Sequence, residues 1–259
     1  MKLNTIISLL EATDPRAKSV DDLLASIENG YFTLDGSKLK VADGFDCTRN
    51  RLTYLKGCPQ KVGGDFDCND NVLISLEGCP QKVGGSFSCH DNQLKSLEGC
   101  PQTVGGSVIC YDNHLESLKG CPQTIGGGFW CGDNQLKSLE GCPQTVHGAF
   151  DCSGNRLKSL EHAPKSIAME FDCGYNKLTS LSKIDLYIHE IDGEANFRHN
   201  PIKSSVLGLL KIKRLEKVRF DDTKLEKIIN KYLPNASTKD IDDCKLELIE
   251  AGLEEFAKL

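Results

Sequence analysis

Cysteine is the residue type with the most chemistry to offer in this sequence. Thirteen cysteines are present, and seven of them, Cys47, Cys68, Cys89, Cys110, Cys131, Cys152 and Cys173, stand 21 residues apart. A second series, Cys58, Cys79, Cys100, Cys121 and Cys142, recurs in a Gly-Cys-Pro between them. Structural zinc sites favour ligand pairs two to four residues apart. No C-x-x-C occurs, and neighbouring cysteines in the repeat lie 10 or 11 residues apart. The histidines, at 90, 114, 147, 162, 189 and 199, include no i, i+4 pair that would build a helical metal site. No metal and no cofactor is expected. Disulfides are harder to exclude on geometry, because equivalent cysteines on adjacent parallel strands would nearly reach bonding distance. Seven cysteines in one row cannot all pair within it. The strings Cys68-Asn-Asp70, Cys89-His-Asp91, Cys110-Tyr-Asp112 and Cys131-Gly-Asp133 invite a thiol-nucleophile reading. A thiol at a core slot, however, has a raised pKa and is inert. Cysteine also behaves as a small hydrophobe and is among the most buried residue types. Ala163 supports that role: it stands where the Gly-Cys-Pro series would continue, and a packing slot loses nothing by the exchange.

The elements that would position these thiols follow from the frame around them. Two residues before each first-series cysteine is Phe45, Phe66, Phe87, Val108, Phe129, Phe150 or Phe171. Three after comes Asn, from Asn50 through Asn176, and five after comes Leu, from Leu52 through Leu178. Phe-x-Cys alternates with period two, which predicts a short strand with one buried face. The Asn sits where the chain turns away and is expected to bond neighbouring backbone, forming a ladder when repeated. Two Leu per repeat cross the core. Pro59, Pro80, Pro101, Pro122, Pro143 and Pro164 disfavour a helix on the far side, so extended or polyproline-like chain is expected there. The glycine pairs 63–64, 84–85, 105–106 and 126–127 would turn the chain into the next strand. Ala195, Phe197, Asn200 and Ile202, then Val218, Phe220, Thr223 and Leu225, fill the frame at longer spacing, with Phe32 and Leu34 as a truncated first copy. The prediction is ten strands in one parallel sheet, with helical spacing at Val206, Leu209 and Leu210. Helices are expected at 3–12, 19–29, 223–233 and 237–259, the outer ones covering the solenoid's ends.

This frame resembles the leucine-rich repeat, LxxLxLxxNxL, with Phe66, Cys68, Asn71 and Leu73 in four of its slots. It is similar in particular to the short bacterial type, of about 20 residues per repeat, with Leu97-Glu-Gly-Cys100-Pro101 in place of L-P-x-L-P. It is also similar to leucine-rich-repeat proteins of tailed bacteriophages. The resemblance covers about residues 31–225 and departs in having Cys in two Leu slots and one extra residue at the Gly pair. It implies an α/β solenoid, a leucine-rich-repeat horseshoe with a parallel sheet on the concave face. The expected division is an N-terminal helical cap at 1–30, the solenoid at 31–225 and a C-terminal helical cap at 226–259. Some bacterial effectors with similar repeats carry a separate ubiquitin-ligase domain with a Cys-x-Asp nucleophile. Here the Cys-x-Asp strings lie inside the repeat, and the 34 residues after it are too few for that domain.

Function is then expected on side chains between the inward strand positions. That face carries His90, Ile109, Tyr111 and Trp130, the chain's only tryptophan, among small, polar and acidic residues. Exposed aromatic anchors ringed by polar groups mark protein-binding surfaces. Asp67, Asp151 and Asp172 add negative charge that would steer a basic partner. The Asp row before Asn (Asp70, Asp91, Asp112, Asp133) is expected to serve the turn. Net charge is −6, which argues against general nucleic-acid binding. The stretch 211–231 is rich in Lys and Arg and is expected to be a solvated helical face. The N-terminal apolar run, broken by Asn4, Thr5 and Ser8, is too short and polar for a signal peptide, and no stretch reaches membrane-span length. A cytoplasmic protein with reduced thiols is expected, in the host cytoplasm if phage-encoded. No phosphate loop, nucleophile elbow or cofactor fingerprint occurs. The expected activity is therefore non-enzymatic: binding, and inhibition, of a bacterial host protein in counter-defence or host takeover. The alternative is a scaffolding component of a larger assembly. The oligomeric state is left open.

Overall fold

The structure, a computed structural model, describes residues 40, 41 and 44–258. The expected helices at 3–12 and 19–29, the cap at 1–30 and the first strand copy at Phe32 lie outside them. The chain divides into two compact units, with the boundary between Asn134 and Gln135.

In the first unit each 21-residue repeat makes one coil, and successive coils stack in parallel register. The strands are β1 (Lys40–Val41), β2 (Phe45–Asp46), β3 (Lys61–Val62), β4 (Phe66–Asp67), β5 (Lys82–Val83), β6 (Phe87–Ser88), β7 (Thr103–Val104), β8 (Val108–Ile109) and β9 (Phe129–Trp130). Phe45 pairs with Phe66, Phe66 with Phe87, Phe87 with Val108 and Val108 with Phe129, a ladder in strict sequence register. Its buried rings stack, Phe45 on Phe66 at 5.5 Å and Phe66 on Phe87 at 6.0 Å. A second parallel ladder, β1-β3-β5-β7, runs beside it and continues through a bridge from Val104 to Ile125. The sequence predicts extended chain on this far side but not its pairing. Two ladders, not one sheet, close each coil. Val62, Val83, Val104 and Ile125 point inward from the second.

The second unit has the same two-residue strands and then two longer ones. Its elements are β10 (Thr145–Val146), β11 (Phe150–Asp151), β12 (Ser166–Ile167), β13 (Phe171–Asp172), α1 (Ile184–Tyr187), β14 (Glu190–Asn196), a 3-10 turn at Leu207–Lys211, β15 (Lys213–Arg219), α2 (Thr223–Lys231) and α3 (Thr238–Glu250). β14 spans both ladders, pairing with β12 through Glu190 and with β13 through Ala195. Ala195 and Phe197 exchange the large and small slots held by Phe171 and Cys173, and all four stay buried. Beyond β15, α2 takes over as edge partner: the Asn230 side chain accepts from Val218 N at 2.7 Å and donates to its carbonyl at 2.9 Å. The helical spacing at 206–210 gives the 3-10 turn. The α3 capping box at Ser237 and Asp240 forms, but the helix ends at Glu250 before Gly252, short of the predicted 259. The basic stretch 211–231 is not one helix. Its first part is strand β15, whose Arg214, Lys217 and Arg219 pair with Glu190, Asp192 and Glu194 on β14.

The glycine of Gly-Cys-Pro has a specific cause. Leu97-Glu-Gly-Cys100 is a β-turn closed by Cys100 N donating to Leu97 O at 3.0 Å. Gly99 sits at its third position with φ 87°, a region that favours glycine. A Cβ there would also lie 2.8 Å from the Leu76 carbonyl of the preceding coil. The glycine pairs do something different from the predicted turn. They lie outside the left-handed region, and a Cβ on Gly105 would stand 2.1 Å from Gly84 O. Their missing side chain lets successive coils approach.

Candidate functional site

The repeat asparagines Asn71, Asn92, Asn113, Asn134 and Asn176 are four-way connectors. Asn113 Oδ1 accepts from Leu94 N at 3.0 Å, and its Nδ2 donates to the carbonyls of Cys89, Cys110 and Tyr111 at 3.0, 3.4 and 3.2 Å. Asn71, Asn92 and Asn134 repeat the arrangement in the first unit, and Asn176 in the second. The residue before the Asn is held in the left-handed region: Asp70, Asp91, Asp112 and Asp133 at φ 54°, 53°, 49° and 48°. Short polar side chains tolerate that conformation best among non-glycine residues. This acidic row therefore has a backbone reason to exist.

The thiols are packing groups. None of the thirteen cysteines forms a disulfide, and all are buried. Cys47 and Cys68 donate their S–H to the carbonyls of Asp67 and Ser88, each at 3.3 Å. Burial pushes Cys89 and Cys110 well above the ordinary thiol range and Cys121 up to about 12. The Cys-x-Asp strings therefore hold buried sulfur, and burial raises the thiols of Cys68, Cys89 and Cys110. No group of three or more His, Cys, Asp and Glu side chains placed to hold a metal occurs among the described residues.

The predicted aromatic residues do come together in the first unit. Ile109 and Trp130 are register partners on β8 and β9. One slot along, the His90 and Tyr111 rings stack at 4.4 Å with planes 13° apart. The Asp91 carboxylate meets His90 Nδ1 at 2.7 Å, which fixes the imidazole. All four side chains are half-buried rather than fully exposed, which the sequence does not reveal. Burial, followed by the carboxylates of Asp91, Asp112 and Asp70, raises the Tyr111 phenol. Asp67 joins them on β4. Burial and the neighbouring Asp46 and Asp65 lift its carboxyl to about 6, against a lowering effect from His90.

Asp151 and Asp172 lie in the second unit and are tied into local turns. Asp151 Oδ1 accepts from the Ser153 backbone N at 2.8 Å and hydroxyl at 2.6 Å. Asp172 accepts from Gly174 N at 2.8 Å and from the Asn196 amide at 3.0 and 3.1 Å. These bonds leave less of each carboxylate for a partner. Sequence reasoning left one surface ring out of the site: Tyr175, 62% exposed, stacks on His199 at 4.0 Å. Its signal was present, an aromatic in the left-handed slot that Asp fills elsewhere.

The first-unit arrangement can bind but has little with which to react. The His90–Asp91 pair resembles half of an acid–base relay. The neighbouring Cys89 thiol is buried, and the Ser88 hydroxyl, itself buried, donates to Asn69 Oδ1 at 3.4 Å.

Comparison with known proteins adds little to this geometry. No protein-family profile matches the sequence, and no curated protein matches it. Among solved structures, YopM from Yersinia enterocolitica WA-314 aligns at 19% identity with a TM-score of 0.44. The alignment covers 68% of this chain and 45% of that one, so the chain spans less than half the length of that relative. The asparagine connectors, the Leu pairs and the 21-residue parallel register of each unit are leucine-rich-repeat-like in their own right. No described helix is long and apolar enough to cross a membrane.

Proposed function

We propose that this chain is a non-enzymatic protein-binding module that engages a bacterial protein through the Phe-x-Cys face, the one expected to be concave. The observation that carries this is the cluster of His90, Ile109, Tyr111 and Trp130 beside exposed carboxylates. Half-buried rings on a rigid ladder lose little conformational freedom on binding, and aromatic side chains dominate interface energetics. In its sharpest form, drawn from the resemblance to phage repeat proteins, the chain is a phage factor that inhibits a host protein in counter-defence or host takeover. Affinity capture from bacterial lysate tests it, with wild type compared against a folded Tyr111→Ala, Trp130→Ala variant. A partner retained only by wild type supports the proposal. A partner held equally by both moves the site elsewhere.

The scaffolding alternative has one observation in its favour. On α3, in the second unit, Leu246 and Ile249 are 59% and 47% exposed and form an apolar patch. Sedimentation of the purified chain, alone and as Leu246→Asp, Ile249→Asp, separates self-association through this patch from a monomeric binder.

A further inference from the structure

We propose that the second unit binds a small amphipathic carboxylate, an aromatic ring bearing one carboxyl group, in a cavity between α1, the 3-10 turn and the C-terminal segment. This site belongs to the second unit alone and does not rest on the protein-binding role above.

The cavity is a product of the longer repeats. Ile184 N donates to Leu181 O at 3.2 Å, the β-turn that Leu97–Cys100 makes in the first unit. Here the chain runs on into α1, and the next repeat inserts the 3-10 turn at Leu207–Lys211. Leu181 N donates to Ser205 O at 3.2 Å, which ties the two repeats together. The segment after α3 closes one side: Ser205 N and Val206 N donate to the carbonyls of Glu255 and Phe256, each at 3.2 Å. Between these three segments lies a cavity of about 210 Å³.

Its floor asks for a partner. Ser205 lines the cavity and is only 8% exposed, and its hydroxyl has no hydrogen-bond partner among the described residues. Polar groups buried this far are nearly always paired, so the lone hydroxyl needs an explanation. The surroundings are apolar: buried Leu181, the backbone of Gly208, and Leu186, which is 62% exposed. A Cβ on Gly208 would stand 2.9 Å from Asp185 Oδ1, so glycine is what lets that carboxylate lie against the turn.

The rim sets the sign of the ligand. Three ammonium groups, of Lys183, Lys211 and Lys258, line the cavity against the single carboxylate of Asp185. Asp185 holds Lys211 at 3.3 Å, and Glu255 holds Lys258 at 2.6 Å. Lys183 has no ion-pair partner among the described residues. It occupies the turn position that glycine holds from Gly57 to Gly141, at φ 63°, a conformation that a long side chain rarely adopts. The backbone gives no reason for a lysine there. An anion does, with its charge on Lys183, its oxygen bonded to the Ser205 hydroxyl and its body against the two leucines. A cavity of about 150 Å³ admits benzene. The volume here suits one ring with a carboxyl group and is below that of pockets for drug-sized ligands.

Phenylacetate is the probe. Acetate lacks its ring and phenylacetamide its charge. Binding of each to the full chain is read by saturation-transfer NMR on the probe's own protons. Saturable binding of phenylacetate is expected in the millimolar range or below, with acetate and phenylacetamide each weaker by about tenfold or more. Ser205→Ala and Lys183→Met should each weaken phenylacetate about fivefold. Neither should lower the melting temperature, since Lys183 is exposed and the Ser205 hydroxyl bonds nothing in the chain. Leu186→Glu, also at an exposed position, sets a second carboxylate at the cavity and should abolish binding. Absence of saturable phenylacetate binding overturns the proposal. So does acetate binding as tightly as phenylacetate, which would mark attraction to surface lysines only. Unchanged phenylacetate affinity in folded Lys183→Met and Leu186→Glu overturns it as well.

Discussion

At the scale of single residues, the asparagine column carries the most concentrated set of bonds. Truncating Asn113 to Ala leaves Leu94 N without its acceptor in a buried setting and takes one donor from each of the carbonyls of Cys89, Cys110 and Tyr111, which keep the Asn92 amide, the Asn134 amide and Asp91 N respectively. At a net worth of about 1 kcal/mol per bond the expected loss is about 3–4 kcal/mol, read as a lower urea midpoint. Asp67 gives a second residue-scale prediction. Its folded carboxyl titrates near 6, above the unfolded value of 3.8. The folded state therefore binds its proton more tightly, and stability from this group falls as pH rises from about 4 to about 6. Since Asp67 is half-exposed, the discounted effect is roughly 1–2 kcal/mol. Asp67→Asn should flatten that part of the stability–pH curve; an unchanged curve would show that the carboxyl titrates normally. The residue scale was also the most legible from sequence. Phe, Cys, Asn and Leu at fixed offsets announce inward slots and a connector. The degree to which neighbours cover Tyr111 and Trp130 does not appear in any spacing, because it depends on side-chain packing between coils.

At the scale of elements, stacking governs what each coil tolerates. Gly99→Ala places a Cβ 2.8 Å from the preceding coil at φ 87°. The turn must open, at an expected cost of about 2–4 kcal/mol. Gly252→Ala is the control: φ is also positive, at 72°, but nothing lies within 4 Å of the added Cβ. It should cost about 1 kcal/mol. Equal losses in thermal melts of the two would contradict the close-approach explanation. Asn230→Ala should destabilise the β15 edge by about 2 kcal/mol and speed amide exchange at Val218. The second parallel ladder was not legible beforehand. Its strands are two residues long, too short for alternation, and their pairing partners sit a full repeat away. The β14–β15 ion pairs were hidden for a related reason: the basic stretch 211–231 has charge content but no period that separates strand from helix.

At the scale of the whole molecule, thiol burial and surface chemistry divide the labour. The cysteine rows build the interior, so thiol labelling under native conditions should be slow and should gain amplitude with the same denaturant midpoint as loss of secondary structure. Rapid labelling of any first-series cysteine in the folded state would revive the nucleophile reading. Function is left to side chains on rigid backbone, with aromatic residues and carboxylates set side by side in the first unit. That juxtaposition could be read from the 21-residue columns, since His90 and Tyr111 share one slot and Ile109 and Trp130 another. The division into two units could not, because the repeat runs across the boundary unchanged. The most direct measurement is the affinity of a captured partner for three proteins: wild type, Tyr111→Ala with Trp130→Ala, and Leu246→Asp with Ile249→Asp. Two hot-spot truncations of at least about 2 kcal/mol between them should weaken binding about thirtyfold or more, while the α3 variant stays within about twofold of wild type. Full affinity in the aromatic variant, with loss in the α3 variant, would place the interaction on the terminal helix and contradict the account.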